Sequence, residues 1–268
     1  MVSFAAPGGS VGPHVDQYDV FLLQAQGTRR WQLGGFADDN TPIVEGVPLR
    51  ILREFDVEEE FVCEPGDLLY LPPQLAHYGV SQTDDCMTWS VGFRAPSADE
   101  IVTSLADYIG EKMCEDDRYG DPDLELQSYN SQIGPDAIAR VKTLVLEKLN
   151  DDETINAWFG RYMTQPKYMD QLIPSEETVS ESNLSENLAS GAVLNLTEGS
   201  RLAFSDTESG FILFADGEGY PIEAQDKDAI MHLCEQKHLT SHELFSPLHK
   251  TIVNLTELVN RGTLYLSD

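Results

Sequence analysis

The feature that most constrains the fold of this chain is a run of short strand-like segments over residues 1–96. These segments are rich in β-branched and aromatic residues, and Gly, Pro or Asp-Asp pairs separate them: Val2–Ala5, Val20–Ala25, Arg30–Leu33, Phe61–Cys63, Asp67–Leu71 and Met87–Phe93. No helical period lies between them. Many short strands without intervening helices predict a sandwich or a barrel.

The pattern changes at Ser97, where helical spacing begins. Ser97 and Glu100 form a capping box, which predicts the start of a first helix. Gly134-Pro135-Asp136 predicts the start of a second helix, and the aromatic residues around Trp158 lie on a third. The acidic stretch 114–133 between the first two predicts a loop. We expect 97–170 to form a helical segment.

The last part of the chain combines small strands with helices. A polar linker is predicted over 165–190, followed by strands at 192–196, 201–204 and 211–215, helices at 226–235 and 241–260, and a final strand at 263–266. This order is typical of a winged-helix-like module over 171–268. The predicted fold class is α+β, with three domains at 1–96, 97–170 and 171–268.

A candidate metal site begins at His14 and Asp16. Residues two apart on a strand point to the same face, so both side chains are expected to enter the interior of the barrel. His77 follows a Pro-Gly turn, a strand and a Pro-Pro turn, a layout that returns a later strand beside the first. Two imidazoles and one carboxylate form the facial triad typical of Fe(II). A solvated His-Val-Asp turn with a capping His77 is the structural alternative.

The charge balance favours basic partners. The 268 residues include 46 acidic and 17 basic ones, a net charge of −29 that repels phosphate backbones and anionic lipids. The module at 171–268 has few basic residues, whereas a DNA-reading winged helix presents a basic face. We therefore interpret this module as a protein-contact element, although an acidic surface also suits solubility or a salty or cold habitat.

Residues 7–34, 65–81 and 89–100 carry a resemblance to a known family. These stretches resemble the JmjC-type cupin, a double-stranded β-helix, of the bacterial ribosomal oxygenases. The order and length of the helical dimerisation segment and the winged-helix-like module also match, so the resemblance covers nearly the whole chain. Members carry about a hundred residues ahead of the metal motif, and the chain is therefore expected to be N-terminally short.

The resemblance implies a function and a site. It implies a 2-oxoglutarate-dependent dioxygenase that uses Fe(II) and O2 to hydroxylate a protein, most closely an arginine at C3 in large-subunit ribosomal protein sixteen. The iron ligands would be His14, Asp16 and His77. Arg29 would bind the distal carboxylate of 2-oxoglutarate, for which a bidentate, permanently charged partner suits.

Four further residues are weaker candidates, and packing or rim roles remain open for each. Ser90 is a candidate co-substrate contact, while Gln17, Tyr18 and Asp19 are candidate substrate contacts next to the metal motif. Asp19 would serve only if its strand bends.

The remaining expectations concern assembly, location and alternatives. We expect a cytoplasmic homodimer with a basic ribosomal protein as substrate, no direct nucleic acid, no membrane, and unpaired thiols at its four scattered cysteines. A cupin isomerase or dioxygenase without 2-oxoglutarate, and a non-catalytic cupin sensor joined to a winged helix, are the competing functions. Hydroxylation of a histidine or modification of RNA also remains open.

Overall fold

The strand-rich first part of the chain forms two antiparallel sheets. This architecture comes from a computed structural model that describes residues 1–38, 40–47, 49–129, 131–167, 173–175, 177–240 and 251–267. The chain divides into two units, Met1–Glu100 and Ile101–Asp268. None of the helices among these described residues has the length and apolar character that a membrane crossing requires.

The first unit contains seven strands. They are β1 (Val2–Ala5), β2 (Asp19–Gln26), β3 (Arg29–Phe36), β4 (Glu59–Cys63), β5 (Leu68–Leu71), β6 (Leu75–Ser81) and β7 (Cys86–Phe93). One sheet has the order β1-β7-β2-β5 and the other β4-β3-β6. Buried residues from both sheets form one cluster, which includes Val20 and Leu22 from β2 and Trp31 and Leu33 from β3. The core therefore lies between the two sheets, as the strand pattern predicts.

Two local features differ from the prediction. Strand β6 is the later strand that the layout before His77 predicts, but its bounds were not predicted, because only Tyr78 and Val80 are of the aromatic and β-branched types that mark a strand. The segment around His14 and Asp16 was predicted to be a regular strand, but His14 forms only isolated bridges, and β2 begins at Asp19. Strand parity therefore does not explain where Asp16 points.

The outer face of the β1-β7-β2-β5 sheet is unusually apolar. Large side chains on these strands are about half exposed: Val2, Phe4, Leu68, Tyr70, Trp89, Val91 and Phe93. Contiguous apolar surface of this kind marks a contact face, because monomeric proteins rarely leave it in water.

Three helices open the second unit. They are α1 (Ala98–Gly110), α2 (Pro135–Leu149) and α3 (Asp152–Thr164). The predicted capping box is present: the backbone N–H of Ser97 donates to the Glu100 carboxylate at 2.9 Å, and the N–H of Glu100 approaches Ser97 Oγ at 3.5 Å. Gly134 is the N-cap of α2, also as predicted.

The rest of the second unit has a core of its own. It contains α4 (Glu181–Ser190), β8 (Val193–Leu196), β9 (Leu202–Thr207), β10 (Gly210–Ala215), β11 (Glu218–Ile222), α5 (Lys227–Gln236), β12 (His238–Leu239), α6 (Thr251–Asn260) and β13 (Leu264–Ser267). Two three-stranded sheets, β11-β10-β9 and β12-β8-β13, pack with the helices around buried leucines such as Leu194, Leu213 and Leu233. Of the helix predicted at 241–260, the first ten residues lie outside the described part of the chain.

Helix α3 packs on the β9–β11 sheet. Asn156 Nδ2 donates to Ser205 Oγ at 2.9 Å, and Arg161 pairs with Glu218 at 2.8 Å. A Cβ at Gly160 would lie 2.3 Å from the Phe214 ring, so helix and sheet are in close contact. The proposed boundary at 170/171 lies outside the described part of the chain, and the three-domain division stays a prediction.

Helix α4 corrects the prediction of a polar linker over 165–190. Ser180 Oγ accepts from the N–H of Asn183 at 3.2 Å, and Gly191 ends the helix with a φ of 106°. Only Leu184 and Leu188 are buried on the helix, one turn apart. Because the apolar stripe is this narrow and the other residues are mostly Ser, Asn and Glu, the helical period is hard to detect in the sequence.

Replacing Leu184 by Ala tests whether α4 belongs to the core. Leu184 is fully buried, so Leu184→Ala should lower the free energy of unfolding by about 2–5 kcal/mol. Ser185→Ala, on the exposed side of α4, should change it by less than about 0.5 kcal/mol. Denaturant unfolding followed by circular dichroism measures both. Equal effects of the two substitutions would mean that α4 is not packed as described.

Candidate active site

The backbones of His14 and His77 hold the two imidazoles together. The N–H of His14 donates to the carbonyl of His77 at 3.0 Å, and the N–H of His77 donates to the carbonyl of His14 at 2.9 Å. His14 also forms a bridge to Ile51 on its other side. Because His14 lies between two neighbouring segments, its side chain is fixed in position without a long strand.

A hydrogen bond at Nδ1 orients each of the two imidazoles. Nδ1 of His14 lies 2.9 Å from the carbonyl of Gly12, and Nδ1 of His77 lies 3.0 Å from the carbonyl of Leu75. A carbonyl only accepts, so each Nδ1 carries the proton and each Nε2 presents a lone pair. The two Nε2 atoms are 3.1 Å apart. Two lone pairs at this distance repel unless a cation lies between them.

The Asp16 carboxylate completes a three-ligand cluster. Its Oδ2 lies 3.7 Å from His77 Nε2, and one ligand atom from each of the three residues lies within 4.8 Å of the others. Two nitrogens about 2.1 Å from one ion and at right angles to it would be about 3.0 Å apart, close to the observed separation. The N–H of Gln74 donates to the carbonyl of Asp16 at 2.7 Å and anchors this segment to the turn before β6. The donor set therefore fits a divalent metal ion.

The electrostatics of His77 also suit metal binding. Its side chain is buried, and burial lowers its pKa, with a further lowering because a positive charge on both His14 and His77 at this distance would be repulsive. The backbone carbonyl of Leu75 and the Asp16 carboxylate act in the opposite direction but do not outweigh these effects. His77 is therefore held as the neutral ring that coordinates metals.

Arg29 is a buried arginine with unpaired donors. It is 6% exposed, and neither Nε nor Nη2 has a hydrogen-bond partner in the structure. Its guanidinium lies 5.6 Å from the centre of the Trp31 ring, and the described residues provide no ion pair for it. An unpaired buried guanidinium is costly, so this environment fits an anionic ligand. Arg30 differs, because it points to the other face of β3 and lies 3.8 Å from Glu60.

The register of β3 and β6 places Arg29 and His77 on one face. Arg29 lies opposite Ser81, and Leu33 lies opposite His77, so the two positions are four residues apart along the sheet, about 13 Å between backbones. Trp31 lies between them on the same face, 5.6 Å from the Arg29 guanidinium and 6.1 Å from the His77 ring, measured to its own ring centre. A Cβ at Gly79 would lie 2.5 Å from the Trp31 ring, so only glycine leaves room for it.

A buried thiol lies at the Arg29 end of this face. Burial raises the pKa of Cys86, but hydrogen bonds with Ser81, Gln24 and Arg29 outweigh burial, and the net effect is a lowered pKa. The polar surroundings of Arg29 thus favour negative charge. All four cysteines of the chain are free thiols, as expected.

The four weaker site candidates do not all lie on the same face of the sheet. Ser90 lies opposite Leu22 on the inner face of the β2–β7 pair, and the Tyr18 ring packs against Gly92 and the core cluster. Gln17 is exposed. Asp19 lies on the outer face, where its carboxylate accepts from the Tyr70 hydroxyl at 2.6 Å. Its role in substrate binding stays a prediction.

Three residues that separate or anchor the candidate site residues were not predicted from the sequence. Trp31 and Gly79 form the wall between the two ends, and Gln74 anchors Asp16. Trp31 shares the parity of Arg29, a signal that was available. The pairing of Gly79 with Trp31 depends on register, which a single sequence does not reveal.

Comparisons with known proteins agree with this architecture. The JmjC domain family model matches residues 1–101, and the ROXA-like winged helix model matches residues 147–265. The fold is thus α+β, a JmjC-type double-stranded β-helix followed by helices and a winged-helix-like module.

Relatives and solved structures match nearly the whole chain. The ribosomal protein uL16 3-hydroxylase of Escherichia coli K12 is 32% identical over 98% of this chain and 69% of its own length. A probable ribosomal oxygenase of Haemophilus influenzae is 34% identical over 81% of this chain and 55% of its own length. The structure of E. coli YcfD in complex with cobalt and 2-oxoglutarate has a TM-score of 0.81 and 30% identity, and the match covers 100% of this chain and 69% of that one. The chain therefore belongs to the ribosomal oxygenase family, in which a JmjC domain precedes a winged helix.

Proposed function

We propose that this chain is an Fe(II)- and 2-oxoglutarate-dependent protein hydroxylase that acts on an arginine at C3 of ribosomal protein uL16. The observation that carries the proposal is one inner barrel face with a three-ligand cluster at one end and an unpaired, buried arginine at the other. The name of the E. coli relative, a uL16 3-hydroxylase, supports the substrate. The cobalt and 2-oxoglutarate complex of YcfD supports the co-substrate.

His14, Asp16 and His77 would hold the iron through two imidazole Nε2 atoms and one carboxylate oxygen. Such a triad covers one face of the ion and leaves the opposite face open. When bound, Fe(II) together with 2-oxoglutarate and O2 supplies the chemistry that hydroxylates an unactivated C–H bond and releases succinate and CO2. The protein orients the two imidazoles through the Nδ1 hydrogen bonds of His14 and His77, and it buries His77.

Arg29 would bind the distal carboxylate of 2-oxoglutarate. Its unpaired Nε and Nη2 are the pair of donors that a carboxylate accepts in bidentate geometry. Ser90, on the inner face of β7, would be a second contact to the co-substrate. Tyr18 would line the approach to the metal, Gln17 its rim, and Asp19 a more distant part of the substrate surface.

The charge of the chain supports a basic substrate. A net charge of −29 attracts a basic ribosomal protein, and an arginine target needs an acidic approach. We place the protein in the cytoplasm, where it would meet this substrate. A cupin enzyme without 2-oxoglutarate would leave the unpaired donors of Arg29 unexplained, so this alternative is disfavoured.

We also propose that the helical segment forms a homodimer through α2. No residue of α2 is buried, although Ile138, Val141 and Val145 form an apolar stripe at helical spacing. Leu146 beside the stripe is half exposed as well. An apolar stripe that no described residue of its own chain covers is typical of a helix that packs against another copy.

The hydroxylase proposal predicts that uL16 gains one oxygen atom on an arginine when incubated with the protein, Fe(II), 2-oxoglutarate and O2. Asp16→Ala removes an iron ligand and should abolish both this product and succinate formation. Glu59→Gln, which removes an exposed carboxylate on β4, is the matched control and should retain activity. Peptide mass spectrometry detects the modification. Turnover by Asp16→Ala equal to that of Glu59→Gln would exclude the proposed metal site.

A pair of arginine substitutions tests the co-substrate anchor. Arg29→Met should raise the KM for 2-oxoglutarate about 10- to 100-fold, because two charge-assisted hydrogen bonds are lost. Arg30→Met, on the outer face of the same strand, should leave this KM unchanged. Steady-state assays of succinate release measure both. A larger effect at Arg30 would move the co-substrate to the other face of the sheet.

The dimer is tested by placing a charge in the apolar stripe. Val141→Asp should convert a dimer into a monomer, because an unpaired carboxylate would be buried at the interface. Thr143→Asp, on the opposite side of α2, should leave the dimer intact. Light scattering after size exclusion measures the mass of each variant. A wild-type chain that is monomeric at micromolar concentration would contradict the proposal.

A further inference from the structure

A cluster of neutral polar side chains lies buried beneath Arg29. Gln24, Ser81 and Thr88 are each 1–3% exposed, and Cys86 is fully buried. The strand registers pair Gln24 with Thr88 and Arg29 with Ser81. The cluster therefore lies at the end of the barrel away from His77, where β2 turns into β3.

The Gln24 side chain is fixed in one orientation. Its Oε1 accepts from the Thr88 hydroxyl at 2.9 Å. Its Nε2 donates to the carbonyls of Gln26 at 2.8 Å and Gly27 at 3.2 Å, and lies 3.5 Å from Cys86 Sγ. Because the two carbonyls only accept, the NH2 group must face the turn and the oxygen must face Thr88.

The turn that Gln24 holds leads directly into Arg29. Gly27 has a φ of 63°, and a Cβ there would lie 2.3 Å from Thr83 Oγ1. The turn between β2 and β3 therefore packs tightly against the turn between β6 and β7. The N–H of Thr28 donates to Thr83 Oγ1 at 3.0 Å. The backbone that enters Arg29 is thus held by a glutamine from inside the barrel and by a threonine from the neighbouring turn.

The members of the cluster bond to one another and to backbone carbonyls, and although Cys86 also bonds to Arg29, two guanidinium nitrogens stay without a partner. The side-chain polar atoms of Gln24, Ser81 and Thr88 all have partners, whereas Nε and Nη2 of Arg29 have none. Gln24 is an amide, not a carboxylate, so it gives Arg29 no internal counter-ion. Such a cluster can position the guanidinium without competing with a ligand for its free donors.

We propose that Gln24, oriented by Thr88, is a positioning residue that sets Arg29 for binding the distal carboxylate of 2-oxoglutarate. This inference rests on the proposed function, since it assigns residues that act through Arg29. Loss of the Thr88–Gln24 bond frees the amide to rotate, which weakens its hold on the turn. The affinity for 2-oxoglutarate should then fall, while the metal cluster at the other end of the barrel is unaffected.

The test measures binding of 2-oxoglutarate to the Mn(II)-loaded 268-residue chain by calorimetry. Thr88→Val replaces the hydroxyl by a methyl group of similar size and should raise the Kd about tenfold, as loss of one buried hydrogen bond does. Thr88→Ser keeps the hydroxyl and should restore the wild-type Kd. Gln24→Met should raise the Kd at least as much as Thr88→Val. The Kd for Mn(II) alone and kcat at saturating 2-oxoglutarate should stay unchanged in all three variants.

Ser3→Ala is the matched control. Ser3 Oγ donates to the backbone carbonyl of Thr88 at 3.2 Å, so its loss removes a hydroxyl bond to the same residue from the neighbouring β1–β7 pair without touching the turn. It should leave the Kd for 2-oxoglutarate unchanged. Wild-type affinity in both Thr88→Val and Gln24→Met, or an equal loss in Ser3→Ala, would overturn the inference and leave the proposed function standing. A wild-type chain that binds Mn(II) but no 2-oxoglutarate would overturn the proposed function itself.

Discussion

The structure of the candidate site depends on the reciprocal backbone pairing of His14 and His77. Two hydrogen bonds of 3.0 and 2.9 Å join His14, which lies outside the named strands, to His77 in β6. They bring the two Nε2 atoms to within 3.1 Å of each other. Carbonyls of neighbouring residues take both Nδ1 protons, so the lone pairs converge. A cation between these atoms would relieve the repulsion among two lone pairs and a carboxylate that lie so close together. Metal binding at these residues would in this sense be part of the electrostatic balance of the barrel.

Arg29, at the other end of the barrel, is the second group that lacks a partner of opposite charge. The guanidinium of Arg29 is buried without a counter-ion, and the neutral groups around it already bond to one another. One ligand that chelates a metal at one end and presents a carboxylate at the other would satisfy both ends at once. The Trp31 ring, which lies between them, gives such a ligand a flat apolar wall.

The sequence predicted the chemistry of the site better than its local structure. The residues His14, Asp16 and His77 were recognisable from the Gly and Pro turns around them, and the structure brings them together. Strand parity does not explain the position of Asp16, because Asp16 lies outside any strand. The bounds of strand β6 and the whole of helix α4 were not predicted, since β6 has few β-branched or aromatic residues and α4 has only a two-leucine stripe. The support beneath Arg29 depends on cross-strand register, which a single sequence does not specify.

The most direct test of the central claim is a crystal structure of the chain with Mn(II) and 2-oxoglutarate, prepared without oxygen. We predict an anomalous metal peak about 2.2 Å from Nε2 of His14, Nε2 of His77 and the Asp16 carboxylate. We also predict that the distal carboxylate of 2-oxoglutarate accepts hydrogen bonds from Nε and Nη2 of Arg29. A metal ion bound away from these three residues, or a distal carboxylate that does not contact Arg29, would contradict the central claim.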